Sequence, residues 1–243
     1  MGRKRADVVL VERGLFDSRA KARAAIEAGG VSIAGRPLAK PSELIDEGAV
    51  IEAVAAHPYV GRGALKLARA LDLWPVAVAG RTVLDVGAST GGFTQVCLQR
   101  GAARVYAVDV GRGQLHPKLA ADPRVVSLEG VDARNLAADL IPDAPDLIVT
   151  DVSFIGLAKA LPAALALAQP GADLVALVKP QFEVGPEAVG KGGLVKDEAA
   201  RAKALADVAA FLASSGWRVR ASADSPIAGG DGNREYLLWA QKA

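Results

Sequence analysis

Residues 82–94 read TVLDVGASTGGFT. A short apolar run rich in β-branched residues ends near an acid, passes through a glycine-studded turn and opens into what reads as a helix. A strand, a turn and a helix in that order form the first unit of an alternating α/β domain, and chains turn this way where backbone must come close to a ligand. The glycines Gly87, Gly91 and Gly92 do not have the G-x-G-x-x-G spacing of a dinucleotide fingerprint, and no GK[ST] follows, so this is not a P-loop.

The pattern repeats outward from this stretch. Strands are predicted at 82–86, 104–109, 125–128, 146–150, 173–178, 217–221 and 235–240, and helical stretches separate the first five. This order predicts a parallel, doubly wound sheet. The last two strands are joined by DSPIAGGDGNR, which is not a helix and is too short for a parallel crossover, so the seventh strand should run antiparallel. Its first residue, Glu235, then falls at the edge where the parallel strands end, which is the ligand-binding edge of open α/β sheets. Asp109 ends the second strand, where a carboxylate can accept both hydroxyls of a ribose. Asp132 follows the third strand and could accept the exocyclic amine of an adenine.

The bulk numbers set limits. The 243 residues are 51% hydrophobic, enough for one good core and a small second domain, and the net charge is only +2. The charge is unevenly placed: residues 1–40 carry nine Lys/Arg and four Asp/Glu, whereas residues 41–55 carry four acids and no base. A locally basic segment points to a polyanionic partner. Cys97 is the only cysteine, so no intrachain disulfide forms, and it sits in an apolar stretch as a buried, inert thiol. The charged N-terminus has no apolar signal core, and the most apolar window, 160–178, is broken by Pro162, Pro170, Gly171 and Asp173. A cytoplasmic protein with no membrane association and no obligate protein partner is expected.

Residues 1–56 read as a compact α+β unit. Asp7 is predicted to cap a helix carrying Val8, Leu10 and Val11, and Ser18 to cap a second helix ending at Gly29-Gly30. On that second helix Arg19 and Arg23 share a face. A hairpin with its turn at Ala34-Gly35 follows, then a strand at 49–54. RADVVLVERGLFDSRAKARAAIEAGGVSIAGRPL resembles the S-four-type RNA-binding module, and the resemblance implies an RNA surface made of Arg5, Arg19, Lys21 and Arg23. Residues 57–61 read as a linker, and 62–243 as the second domain.

The order of acid, glycine turn, acid and acid on a seven-stranded sheet resembles the Rossmann-like S-adenosylmethionine-dependent methyltransferases. That resemblance implies the amino-acid end of S-adenosylmethionine near Gly87, Ser89 and Gly92, with Gly91 and Phe93 in the same set. It also implies ribose on Asp109, adenine near Val110 and Asp132, and Asp85 bracing the turn.

Four further stretches narrow the acceptor: GRGALKL (61–67), TDVSFIG (150–156), VKPQFE (178–183) and GNREYLL (232–238). They contribute Lys66, Asp151, Lys179 and Glu235. Lys66 is predicted to share one basic helical stripe with Arg62 and Arg69, two further candidate RNA contacts. This set resembles the Lys-Asp-Lys-Glu tetrad of FtsJ-like RNA ribose 2′-O-methyltransferases, and with VGKGGLVKD and the N-terminal module the chain resembles the TlyA/haemolysin A family. The resemblance spans essentially the whole sequence. It implies 2′-O-methylation of cytidine in ribosomal RNA, or in ribosomal subunits, and no metal. A ribose hydroxyl is a poor nucleophile at neutral pH, and a lysine amine whose charged form is disfavoured can take its proton. Lys179 is the expected base, met by Asp151 and Glu235, with Lys66 as the neighbouring cation. Lysines that only stabilise oxyanion charge are the alternative. Lys191 and Lys196 lie in a glycine-rich loop that could close over substrate phosphates. The competing function class is a membrane-active cytolysin.

Overall fold

The structure, a computed structural model, describes residues 2–229 and 231–243. It divides into two compact units, Met1–Pro58 and Tyr59–Ala243.

The first unit runs β1 (Arg3–Arg5), α1 (Ala6–Glu12), α2 (Arg19–Glu27), β2 (Val31–Ile33), β3 (Arg36–Pro37), β4 (Leu44–Asp46) and β5 (Ile51–Ala53). β1 pairs with β4, and β2 lies between β3 and β5, all antiparallel. Ser18 caps α2 by accepting a hydrogen bond from the Lys21 N–H, as its position before the helix predicts. α1 carries the expected Val8, Leu10 and Val11, and its buried face is Ala6, Val9 and Leu10, at helical spacing i, i+3, i+4. Asp7 is not the expected cap. It lies inside the first turn, fully buried, because the chain enters α1 directly from β1 and its N–H is taken by the Pro41 carbonyl.

The second unit continues with α3 (Ala64–Leu73), β6 (Thr82–Val86), α4 (Gly92–Gln99), β7 (Arg104–Asp109), α5 (Pro117–Ala120), β8 (Val125–Glu129), β9 (Leu147–Thr150), α6 (Leu157–Ala160), α7 (Pro162–Leu167), β10 (Asp173–Val178), α8 (Pro180–Glu183), α9 (Glu198–Ser214), β11 (Trp217–Asp224) and β12 (Tyr236–Lys242). The seven strands lie in the order β11-β12-β10-β9-β6-β7-β8. β12 runs antiparallel to both of its neighbours, as the short β11–β12 connection requires. Alternation along the strands feeds two cores. Val83, Val105, Leu147 and Val149 face one layer with α3 and α4, and Leu84, Tyr106 and Ile148 face the other with α6, α7 and α9. Among the described residues no helix is long and apolar enough to cross a membrane. The apolar window at 160–178 is α7, a turn and the fully buried β10.

Candidate active site

The site forms where the parallel strands end. β6, β7, β9 and β10 stop at Val86, Asp109, Thr150 and Val178, and β12 begins beside β10, with Tyr236 opposite Val178. Gly87, Asp151, Lys179 and Glu235 therefore stand within one residue of strand ends on the same edge.

Two lysines and two carboxylates interlock there. Lys66 Nζ donates to Glu235 Oε2 at 2.5 Å and lies 4.0 Å from Asp151 Oδ2. Lys179 Nζ lies 2.6 Å from Asp151 Oδ1, an ion pair off the hydrogen-bond direction, and donates to Ser153 Oγ at 2.8 Å. Lys66 and Lys179 are 6% and 7% exposed. Each buried charge is thus matched by an opposite one, the condition under which such a cluster survives burial. Two expectations are corrected. Glu235 meets Lys66, not Lys179, because α3 carries Lys66 inward over the start of β12. Lys66 does not share one basic stripe with Arg62 and Arg69: it is buried, whereas Arg62, which precedes α3, and Arg69 face solvent.

A cavity of about 500 Å³ opens beside the tetrad, lined by Gly87, Ser89, Asp109, Val110, Gln114, Asp132 and Phe154 among others. A second, of about 220 Å³, is lined by Gly61–Gly63, Thr90, Gly92, Phe93 and Lys179, and shares Gly87, Ser89, Asp151 and Ser153 with the first. The larger has the size of a small-ligand pocket. Lys179 faces this space; Lys66 lines neither lobe.

Asp109 accepts from the Ser89 N–H at 2.7 Å and the Gly111 N–H at 2.8 Å, one bond on each oxygen, which leaves a lone pair on each for a ligand diol. Val110, 73% exposed, offers an apolar face beside it. Asp132 lines the cavity, but both of its oxygens are engaged by Arg134, whose hydrogen bonds hold the carboxyl down at about 2. An adenine amine would share Asp132 with that guanidinium. Asp85 is fully buried and lines neither lobe. It accepts from Thr94 Oγ1 at 2.7 Å, tying β6 to the first turn of α4, and burial pushes its carboxyl up to about 7. It acts on the turn, not on a ligand. Burial likewise pushes the Cys97 thiol up, consistent with an inert core residue.

The glycines of the turn answer mainly to protein neighbours. Gly87 has φ +83°, and a Cβ there would press on Val152 at 3.0 Å; Gly91 has φ +91°, and its Cβ would meet Leu119 and Leu115. Gly91 lines neither lobe.

Two residues of the TDVSFIG stretch join the site although the sequence did not single them out. Ser153 is the second partner of Lys179, and it becomes visible only once β9 and β10 are adjacent. Phe154 is 90% exposed at the cavity wall, holds a left-handed φ of 66° and packs against Phe182, with ring centroids 5.2 Å apart. A large exposed aromatic with strained backbone is a signal, but only a structure displays it. In the first unit Arg5 and Arg19 both clamp the buried Asp7, and their hydrogen bonds, Arg5 foremost, hold its carboxyl down at about 2. Lys21 pairs with Asp17. Arg23 is exposed with no ionic partner among the described residues.

The FtsJ-like methyltransferase family profile matches residues 59–242, and the S4 domain profile matches residues 4–51. The chain is 48% identical over 239 residues to the 16S/23S rRNA (cytidine-2′-O)-methyltransferase TlyA of Mycobacterium tuberculosis, covering 98% of this chain and 89% of that protein. It is 38% identical to Hemolysin A of Brachyspira hyodysenteriae, covering 96% of this chain and 98% of that protein. A solved structure named "Putative hemolysin from Streptococcus thermophilus" superposes with a TM-score of 0.79 at 42% identity, covering all of this chain and 90% of that one.

Proposed function

The chain belongs to the FtsJ-like methyltransferase family, and from that premise we propose that it methylates the 2′-hydroxyl of a cytidine ribose in ribosomal RNA. The observation that carries this reading is the Lys66–Glu235 and Lys179–Asp151 pairing, of which Lys179 and Asp151 stand at the cavity wall. S-adenosylmethionine, when bound, supplies an electrophilic methyl group. Asp109 holds its ribose, Val110 covers its adenine, and Gly87, Ser89 and Gly92 border its amino-acid end.

Lys179 is the one tetrad amine facing the cavity, so it is the group that acts on the hydroxyl proton. In its neutral form Nζ takes that proton. Asp151 Oδ1, at 2.6 Å, then stabilises the ammonium as it forms. Glu235 fixes Lys66, and Lys66 in turn balances Asp151 from its other oxygen. Ser153 holds Nζ in place through its hydroxyl. Phe154 offers a stacking face for the target base at the cavity wall. The S4 domain supplies phosphate contacts that position the RNA, with Arg23 an exposed cation that has no ionic partner among the described residues.

The test is methyl transfer from labelled S-adenosylmethionine to ribosomal RNA, with the modified ribose mapped. Wild type transfers label to a cytidine 2′-oxygen. Lys179→Ala loses the activity while still binding cofactor. Lys179→Arg also fails, because guanidinium does not act as a base near neutral pH. Near-full activity in Lys179→Arg means that only the charge matters. Normal activity in Lys179→Ala defeats the tetrad reading. Vesicles incubated with the protein should retain their contents; leakage would favour the hemolysin name that some relatives carry.

A further inference from the structure

Asn233 is 2% exposed and uses its whole carboxamide. Its Oδ1 accepts from the Val195 N–H at 2.9 Å, and its Nδ2 donates to the Gly193 carbonyl and to Asp231 Oδ2, both at 2.8 Å. Its own N–H donates to Asp231 Oδ1 at 3.0 Å, and its carbonyl accepts from the Gly229 N–H at 2.9 Å. Asp231 in turn accepts from Gln181 Nε2 at 3.2 Å, two residues beyond Lys179. Two residues beyond Asn233 stands Glu235, packed so closely that a Cβ on Gly229 would lie 2.6 Å from its Oε1.

A buried amide with every position filled joins three segments: 193–195, the turn that leads into β12, and the start of α8. Two of these carry tetrad residues or adjoin them. An apolar side chain would fill the volume but leave the Val195 N–H and the Gly193 carbonyl without a partner. An aspartate would set a carboxylate against Asp231 and a carbonyl. The requirement is therefore for register rather than for packing.

We propose that Asn233 is a positioning residue for methyl transfer. It locks segment 193–195 to the β12 turn, so that Glu235 stays on Lys66 and the Lys179 segment is held through Asp231 and Gln181. The inference rests on the methyl-transfer reading above. None of Asn233, Asp231, Gln181 or Glu235 lines either cavity, so the cofactor contacts are independent of this network.

The test measures single-turnover methylation of ribosomal RNA at saturating RNA and cofactor, with calorimetry giving the cofactor Kd and the number of cofactor sites per chain. Asn233→Ala should lower the rate per cofactor site at least roughly thirtyfold, with the Kd within about twofold of wild type. Asn233→Asp, nearly the same shape but unable to donate to Gly193, should be slowed similarly. A residue that only supports folding would lower the number of cofactor sites and leave the rate per site alone. That outcome overturns the proposal, as does an Asn233→Asp rate equal to wild type. If Asn233→Ala binds no cofactor, the Asn233→Asp comparison decides. A wild-type chain that leaves ribosomal RNA unmethylated defeats the functional reading itself. A wild type that methylates it, beside equally fast Asn233 variants, defeats only this inference.

Discussion

Lys66 and Lys179 carry the same charge at the same sheet edge, yet only Lys179 reaches the cavity, so access rather than residue type separates their roles. Asp109 illustrates the same point among the acids. Asp85 lies within β6, Asp109 ends β7 and Asp132 follows β8, and one is buried, one is open and one is held by arginine. Asp109 is therefore the carboxylate with ligand capacity. Asp109→Ala should weaken S-adenosylmethionine binding at least about tenfold, or about 1.4 kcal/mol. Calorimetry on the folded variant checks this, and an unchanged Kd would move the ribose elsewhere. Lys66, Asp151, Lys179 and Glu235 could be picked out in the sequence as chemistry-bearing residues. Ser153 and Asn233 were not, although they lie inside TDVSFIG and GNREYLL, because short polar residues there look like turn formers until their partners are folded against them.

At the scale of elements, the junction between β6 and α4 depends on Asp85, whose carboxyl burial raises to about 7. The folded chain thus keeps a proton that the unfolded chain releases near pH 4. The associated stabilisation is complete below the ordinary carboxylate value and is lost as pH rises toward about 7, at up to about 1.4 kcal/mol per pH unit. Asp85→Asn removes this dependence. Thermal unfolding of both proteins at about pH 5 and about pH 8 should show wild type losing ground to the variant on the alkaline side. An equal difference at both values would mean that the carboxylate is not buried uncompensated. Strand and helix order were legible because periodicity and turn residues are local. The inward turn of Lys66 on α3 was not, because a lone lysine between Leu65 and Leu67 reads as solvent-facing until Glu235 is brought beneath it.

For the whole molecule, the separation into Met1–Pro58 and Tyr59–Ala243 fits the proposed separation of labour between RNA positioning and chemistry. Arg23→Ala should weaken RNA binding and flatten its salt dependence by about one contact's worth, with cofactor affinity unchanged. A salt titration checks it, and an unchanged slope would place the RNA off this face. Arg19→Ala is a less clean probe, because Arg19 also balances the buried Asp7. Sequence alone determined the α/β class, the antiparallel last strand and the S4 domain, and singled out the four residues that meet at one sheet edge. Each of these follows from local periodicity, from the short β11–β12 connection or from motif resemblance. Tertiary structure alone decided which acid meets which lysine, that Asp85 faces the core while Asp109 faces the cavity, and that Arg5 and Arg19 share one buried carboxylate. Such pairings join residues up to 169 positions apart, as Lys66 and Glu235 are. No local pattern encodes them: they follow from strand order and helix packing, which bring distant charges into one poorly solvated place where each must find a partner.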